Sequence, residues 1–246
     1  MKKISKIIVL AICALCVLAI FKCGATKENK AEDIVICLDW TPNTNHTGIY
    51  VALEKGYYKD AGLNVTIVQP PEGGATLMCA SGQAQFAIDA QDTMAAALDS
   101  DEPLGIKAVA TILQHNTSGI LSRKGEGITS PKGLVGKIYS TWDSPIELAI
   151  IKYCMEKENA DFDELTLIPN NITNEPAALE ANQTDAVWIF YGWSGINAEL
   201  SGVECDYFAF KDIADELDYY TPVIIANDKY LKEHKDEAKA FIEATA

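Results

Sequence analysis

The segment Asp39-Trp40-Thr41-Pro42-Asn43-Thr44-Asn45-His46 sets a flat indole beside neutral hydrogen-bonding side chains and one carboxylate. An indole stacks on planar rings, and Asn and His supply both donors and acceptors. Together they suit a planar heteroaromatic molecule carrying nitrogens. A plainer reading stands beside this one, in which Asn45 caps a helix and His46 is only its first residue. The same chemistry recurs in four further segments. FAIDAQDT carries Asp89, Gln91 and Asp92, and ATILQHNTSG carries Gln114, His115 and Asn116. YSTWDSP carries Trp142 and Asp143, and AVWIFYGW carries Trp188, Tyr191 and Trp193. Each tryptophan alone fits core packing equally well. All four lying in or beside such segments makes a shared binding role the better account. The candidate binding residues are Trp40, Asn45, His46, Asp89, Gln91, His115, Trp142, Trp188 and Tyr191.

Catalytic patterns are absent by comparison. The chain has no GxSxG elbow, HExxH helix, P-loop or GxGxxG turn. His46 and His115 are too scattered to mark a metal site, and no CxxC pair occurs among Cys37, Cys79, Cys154 and Cys205, the cysteines beyond the N-terminal segment. No cofactor is expected. Cys37, within IVICL, reads as a small buried hydrophobe. The charges of EPAALEA and KDEAKAF read as solvated helix faces, and His234 as exposed. With 20 basic against 35 acidic residues the formal charge is −15, which excludes a nucleic-acid binder.

Short apolar runs must position these residues. Runs 34–38, 65–68, 86–88 and 106–113 read as strands, with helices over 46–58, 75–82 and 91–98 between them. A second series follows: strands at 119–122, 137–141, 165–168, 186–190 and 207–210, and helices at 145–157, 175–181 and 192–200. Strand 222–227 and a single helix over 229–246 finish the chain. This alternation predicts two open α/β units with mainly parallel sheets. Such sheets bind ligands beyond the carboxyl ends of their strands, and two facing units make an interdomain cleft.

Residues 1–22 hold Lys2, Lys3 and Lys6 ahead of the apolar run 7–21, which reads as a secretory signal. Cys23, followed by Gly24 and a polar tether over 23–33, resembles the lipidated cysteine of a bacterial lipoprotein. Lys22, where a small residue is usual, is the departure from that pattern.

The segments LDWTPNTNHTGIYVALEKGYYKDAGLNV (38–65), QPPEGG (69–74), QHNTSGI (114–120), GKIYSTWDSPIE (136–147), DAVWIFYGW (185–193) and YYTPVIIAN (219–227) resemble the NMT1/THI5-like branch of ABC-transporter substrate-binding proteins. Within it, the likeness is greatest to binders of pyrimidine precursors of thiamine, the formylaminopyrimidine type. The resemblance implies a type II periplasmic-binding fold of two α/β lobes joined by two crossings, closing on a ligand by hinge motion. Lobe one would comprise 31–114 plus 222–246, and lobe two 115–221. Trp40, Asn45, His46 and Trp142 would line the pocket, with Trp188 and Tyr191 opposite and Asp39 and Asp89 toward a ligand amine. It implies an exported monomer, lipid-anchored outside the cell membrane, that delivers its heterocycle to an ABC permease and ATPase. It also implies a chain continuing past Ala246, since residue 246 falls inside a helix without a cap. Two other readings stay open. One is a pyrimidine synthase using His46, pyridoxal phosphate and iron, although the cysteine cluster of such enzymes is absent. The other is an adhesive surface lipoprotein with a vestigial pocket.

Overall fold

The computed structural model describes residues 31–246 except 171. The signal segment, Cys23 and most of the tether lie outside the described residues. Strands β1 (Glu32–Cys37), β2 (Leu63–Val68), β3 (Phe86–Asp89) and β4 (Ile106–Thr111) belong to the first sheet. Strands β5 (Ser118–Arg123), β6 (Ile138–Thr141), β7 (Thr166–Pro169), β8 (Ala186–Phe190) and β9 (Cys205–Ala209) form the second. Strand β10 (Val223–Asn227) returns to the first, giving the orders β2-β1-β3-β10-β4 and β7-β6-β8-β5-β9.

Both sheets are mixed, which corrects the expectation of mainly parallel pairing. β1 pairs in parallel with β2 and β3, and β6 with β7 and β8. β10 runs antiparallel between β3 and β4, and β5 antiparallel between β8 and β9. The two inserted strands are those that arrive from the other lobe. The registers Val223↔Asp89 and Ser118↔Phe190 show why: both begin at the end where their neighbours finish. A strand entering from the cleft must run away from it. Residue composition carries no record of that direction.

Helices cover both faces of each sheet. On the first, α1 (Thr47–Glu54), α2 (Tyr57–Asp60) and the C-terminal α9 (Lys235–Thr245) pack Ile49, Tyr58 and Phe241 on Ile34, Ile36 and Phe86. Phe241 stacks 4.1 Å from Phe86 and 5.3 Å from Tyr58. Helices α3 (Gly74–Ala80) and α4 (Gln91–Leu98) cover the opposite face, over Cys37, Ala87 and Ile225. Central β10, covered on both sides, is buried throughout and accordingly reads VIIAN, with no polar alternation. Cys37 is fully buried, and that burial pushes its thiol up to about 11. On the second sheet, α5 (Pro145–Lys157) covers one face, and α6 (Glu175–Glu180) with α7 (Ile196–Ser201) covers the other. Among the described residues no helix is long and apolar enough to cross a membrane.

Two helical expectations change. The span 229–246 is two helices, α8 (Asp228–Glu233) and α9, broken at His234. His234 is half-exposed, stacks 4.6 Å from Tyr230 and lies 3.4 Å from Glu32. The span 192–200 begins instead with one π-helical turn, Tyr191–Gly195, ahead of α7. A Cβ on Gly195 would lie 2.5 Å from the Tyr191 ring, so glycine there makes room for that ring against the turn.

The chain crosses between the sheets in 112–117 and again between Ala209 and Val223. The crossings are tied together. Asn116 is buried; its side-chain amide donates to the Leu217 carbonyl at 2.9 Å, and its backbone N–H to Asp218 at 3.2 Å.

Candidate functional site

A cleft of about 460 Å³ lies between the carboxyl ends of the two sheets. Asp39, Trp40, Asn43, Asn45, Asp89 and Ala90 form its first wall; Ser140, Trp142, Asn170, Ile172, Glu175, the end of β8, Trp193 and Ser194 form the second. Thr44 Oγ1 bridges the walls, donating to the Gly192 carbonyl at 2.9 Å.

The first wall is built by local hydrogen bonds. Asn43, not Asn45, caps the short turn Thr44–His46, accepting the Asn45 backbone N–H at 2.9 Å. Asn45 is therefore free to face the cleft. His46 is fully buried behind the wall. Its Nδ1 accepts the Asn43 backbone N–H at 3.2 Å, so the ring proton sits on Nε2 and is donated to Asp39 Oδ1 at 2.7 Å. The network thus assigns a neutral imidazole that aims the Asp39 carboxyl. Asp89 ends β3, accepting from the Thr76 hydroxyl and from the Ala90 N–H at 2.7 Å. Burial nevertheless pushes its carboxyl up to about 6.

The second wall is aromatic. Trp142 follows β6 and is 46% exposed. The next residue, Asp143, has φ +61°, a left-handed conformation unusual outside glycine, and donates its N–H to Thr141 Oγ1 at 2.8 Å. Glu147, buried in the first turn of α5, fixes that corner from beneath. It accepts the Tyr139 hydroxyl and, at 2.8 Å, the Thr141 hydroxyl. Trp188 packs edge-on to Trp142 at 5.7 Å and lies 4.2 Å from Phe210. Glu175 at the start of α6 is also buried, and that burial raises its pKa.

Three buried polar atoms on this wall have no hydrogen-bond partner: Ser140 Oγ, Trp188 Nε1 and Ser194 Oγ. Buried donors and acceptors are almost always satisfied. Three of the six unpartnered side-chain atoms among the described residues gather around this one cleft, beside its exposed aromatic rings.

Trp40, Asn45, Asp89, Trp142 and Trp188 thus come together as the sequence suggests. Four candidates do not line the cleft. His46 acts through Asp39. Gln91 lies in a neighbouring groove with Met94 and Tyr220, because the first turn of α4 rotates it past the strand end. His115 is exposed on the first crossing, 2.9 Å from Asp218. Tyr191 hydrogen-bonds to Glu199 and packs 4.9 Å from Tyr207, turned away by the π-helical turn. Glu175, expected on a solvated helix face, is instead a buried cleft residue. Ser140, Asn170, Ile172 and Ser194 are cleft residues that the motifs do not reveal. Asn170 follows β7 directly, so the strand-end rule applied there would have found it.

The family described as NMT1/THI5 like matches residues 43–246. A formylaminopyrimidine-binding protein of Halalkalibacterium halodurans is 28% identical over 228 residues, 88% of this chain and 65% of that protein. A 4-amino-5-hydroxymethyl-2-methylpyrimidine phosphate synthase of Saccharomyces cerevisiae is 26% identical over 234 residues, 87% of this chain and 65% of that enzyme. The chain therefore spans about two thirds of the length of these curated relatives. The periplasmic aliphatic sulphonate binding protein of Escherichia coli superposes with a TM-score of 0.63 at 16% identity, over 87% of this chain and 73% of that one. The fold is the two-lobed α/β fold of periplasmic binding proteins, and the chain belongs to the NMT1/THI5-like family.

Proposed function

We propose that this protein is the substrate-binding component of an ABC importer, exported and lipid-anchored through Cys23, and that it carries a thiamine pyrimidine precursor or a related aromatic heterocycle. The observation that carries the reading is the group of three unpartnered polar atoms, Ser140 Oγ, Trp188 Nε1 and Ser194 Oγ, set in one aromatic cleft. A planar ring stacks on the exposed faces of Trp40 and Trp142, its ring and exocyclic nitrogens meet the orphan groups, and the lobes close around it. The bound form is then handed to a membrane permease. The likeness to a formylaminopyrimidine-binding protein supports this ligand class.

The synthase reading finds less support. The His46 ring is fully buried with both nitrogens engaged, and so faces no substrate. Among the described residues no group of three His, Cys, Asp or Glu side chains is arranged to hold a metal. No lysine or arginine lines the cleft to receive the phosphate of pyridoxal phosphate. The residues of the cleft do not fit that cofactor set.

Native mass spectrometry of the full chain with added aminopyrimidine tests the proposal. A one-to-one complex at micromolar ligand, equivalent to about −8 kcal/mol, is expected. A folded chain that retains neither aminopyrimidine, thiamine nor riboflavin would overturn it.

A further inference from the structure

The cleft adjoins a second cavity of about 370 Å³, bounded by Gly73, Gly74, Thr76 and Thr93, and the two share Asp39 and Asp89 as lining residues. Among the described residues that line either space, the ionisable ones are Asp39, Asp89 and Glu175, all acids. Nothing there supplies a positive charge. His46, the nearest basic side chain to Asp39, is held neutral by the backbone N–H that its Nδ1 accepts. The site has a second mark of a ligand in its three unpartnered polar side chains, each more than nine-tenths buried.

Resting on the heterocycle reading, we infer that the cleft selects its ligand as a cation: an aminopyrimidine whose substituent ends in a protonated primary amine, seated between Asp39 and Asp89 at the mouth of the second cavity. The ring occupies the tryptophan-lined space, and its nitrogens meet Ser140, Trp188 and Ser194. The ammonium makes charge-assisted hydrogen bonds with carboxylates that have no other cation. A phosphate ester would bring like charge to three acids and is refused.

Binding is then coupled to protons. The groups around Asp89 are Asp39 from the end of β1, Asp92 from α4 and the Cys79 thiol of α3, none of them a cation. Burial holds the empty Asp89 carboxyl near 6, and an ammonium favours its ionised form. Binding near that pH releases a proton, and affinity falls as the pH drops through it.

The test is calorimetric titration of the full chain with three probes: an aminopyrimidine with a free aminomethyl group, the same compound N-formylated and therefore neutral, and a hydroxymethyl aminopyrimidine phosphate. At neutral pH the amine should bind about tenfold more tightly than the formyl compound, and the phosphate not measurably. The amine's affinity should fall about tenfold from pH 7.5 to 5, with that of the formyl compound changing less. Asp89→Asn should narrow the preference for the amine. A formyl compound that binds as tightly as the amine, or a phosphate that binds, overturns the cation inference and leaves the heterocycle reading standing. If no probe binds, the cation inference falls, and the heterocycle reading falls with it when thiamine and riboflavin also fail to bind.

Discussion

The two walls of the cleft are finished to different degrees. On the first, the acids and the turn are tied down while Asn45 stays free: Asn43 caps its turn, His46 holds Asp39, and Thr76 and Ala90 hold Asp89. On the second, Trp142 and Trp188 are firmly braced, yet Ser140, Trp188 and Ser194 each keep a buried polar atom unpaired. One wall offers fixed charge, the other rigid rings and unspent hydrogen bonds. On the proposed function, each wall would read a different part of a ligand: a planar ring on the second, a charged or donor-rich substituent on the first.

Removing the brace under Trp142 strikes hardest at the second wall. Glu147→Ala leaves the buried Tyr139 and Thr141 hydroxyls unpaired and frees the corner. It should lower stability by about 3 kcal/mol in urea unfolding. A loss under about 0.5 kcal/mol, the range of an ordinary surface change, would show that the second wall is not braced there.

The charged wall should respond in the opposite direction. The Asp89 carboxyl is raised from 3.8 to about 6 by burial. A group raised on folding stabilises the fold below its unfolded pKa, and that contribution is lost as pH rises through the folded one. At neutral pH the ionised Asp89 is therefore a burden. Asp89→Asn should be more stable than the parent by on the order of 2 kcal/mol at about pH 7, with the gap closing by about pH 4. A gap that does not change with pH would contradict the reading of Asp89 as a buried, unbalanced charge.

A finer cut isolates the orphan atoms. Trp188→Phe keeps the packing against Phe210 and deletes one donor. Affinity for an aminopyrimidine should fall about fivefold, the worth of one neutral hydrogen bond, with little change in unfolding midpoint. Smallest of all should be Gln91→Ala and Tyr191→Phe, which lie off both walls. Each is expected to change affinity less than about twofold, within the error of a titration.

The fold's outline and half of the site could be read from the chain because strand ends are local. Trp40, Asp89 and Trp142 lie one to three residues past apolar runs or end one, so finding the runs found the residues. What failed depends on geometry that no short window holds. Glu175 looks solvated because acids on short helices usually are; here α6 starts against the cleft and buries it. Tyr191 lies one residue past β8, but a π-helical turn swings its ring outward over Gly195 and brings in Trp193 and Ser194 instead. His46 stands where a ligand contact was expected, and the capping role of Asn43 turned it inward. The antiparallel entries of β5 and β10 follow from the lobe crossings, a long-range feature invisible to composition.

The proposed function requires the aromatic cleft between the lobes to hold a planar heterocycle. A tryptophan-fluorescence titration of the full chain and of Trp142→Ala with the same aminopyrimidine tests that directly. Trp142 contributes stacking and apolar burial worth about 1–3 kcal/mol, so saturable binding to the parent is expected, with an affinity about 10- to 100-fold weaker in the variant. Equal affinities in two folded proteins would contradict it.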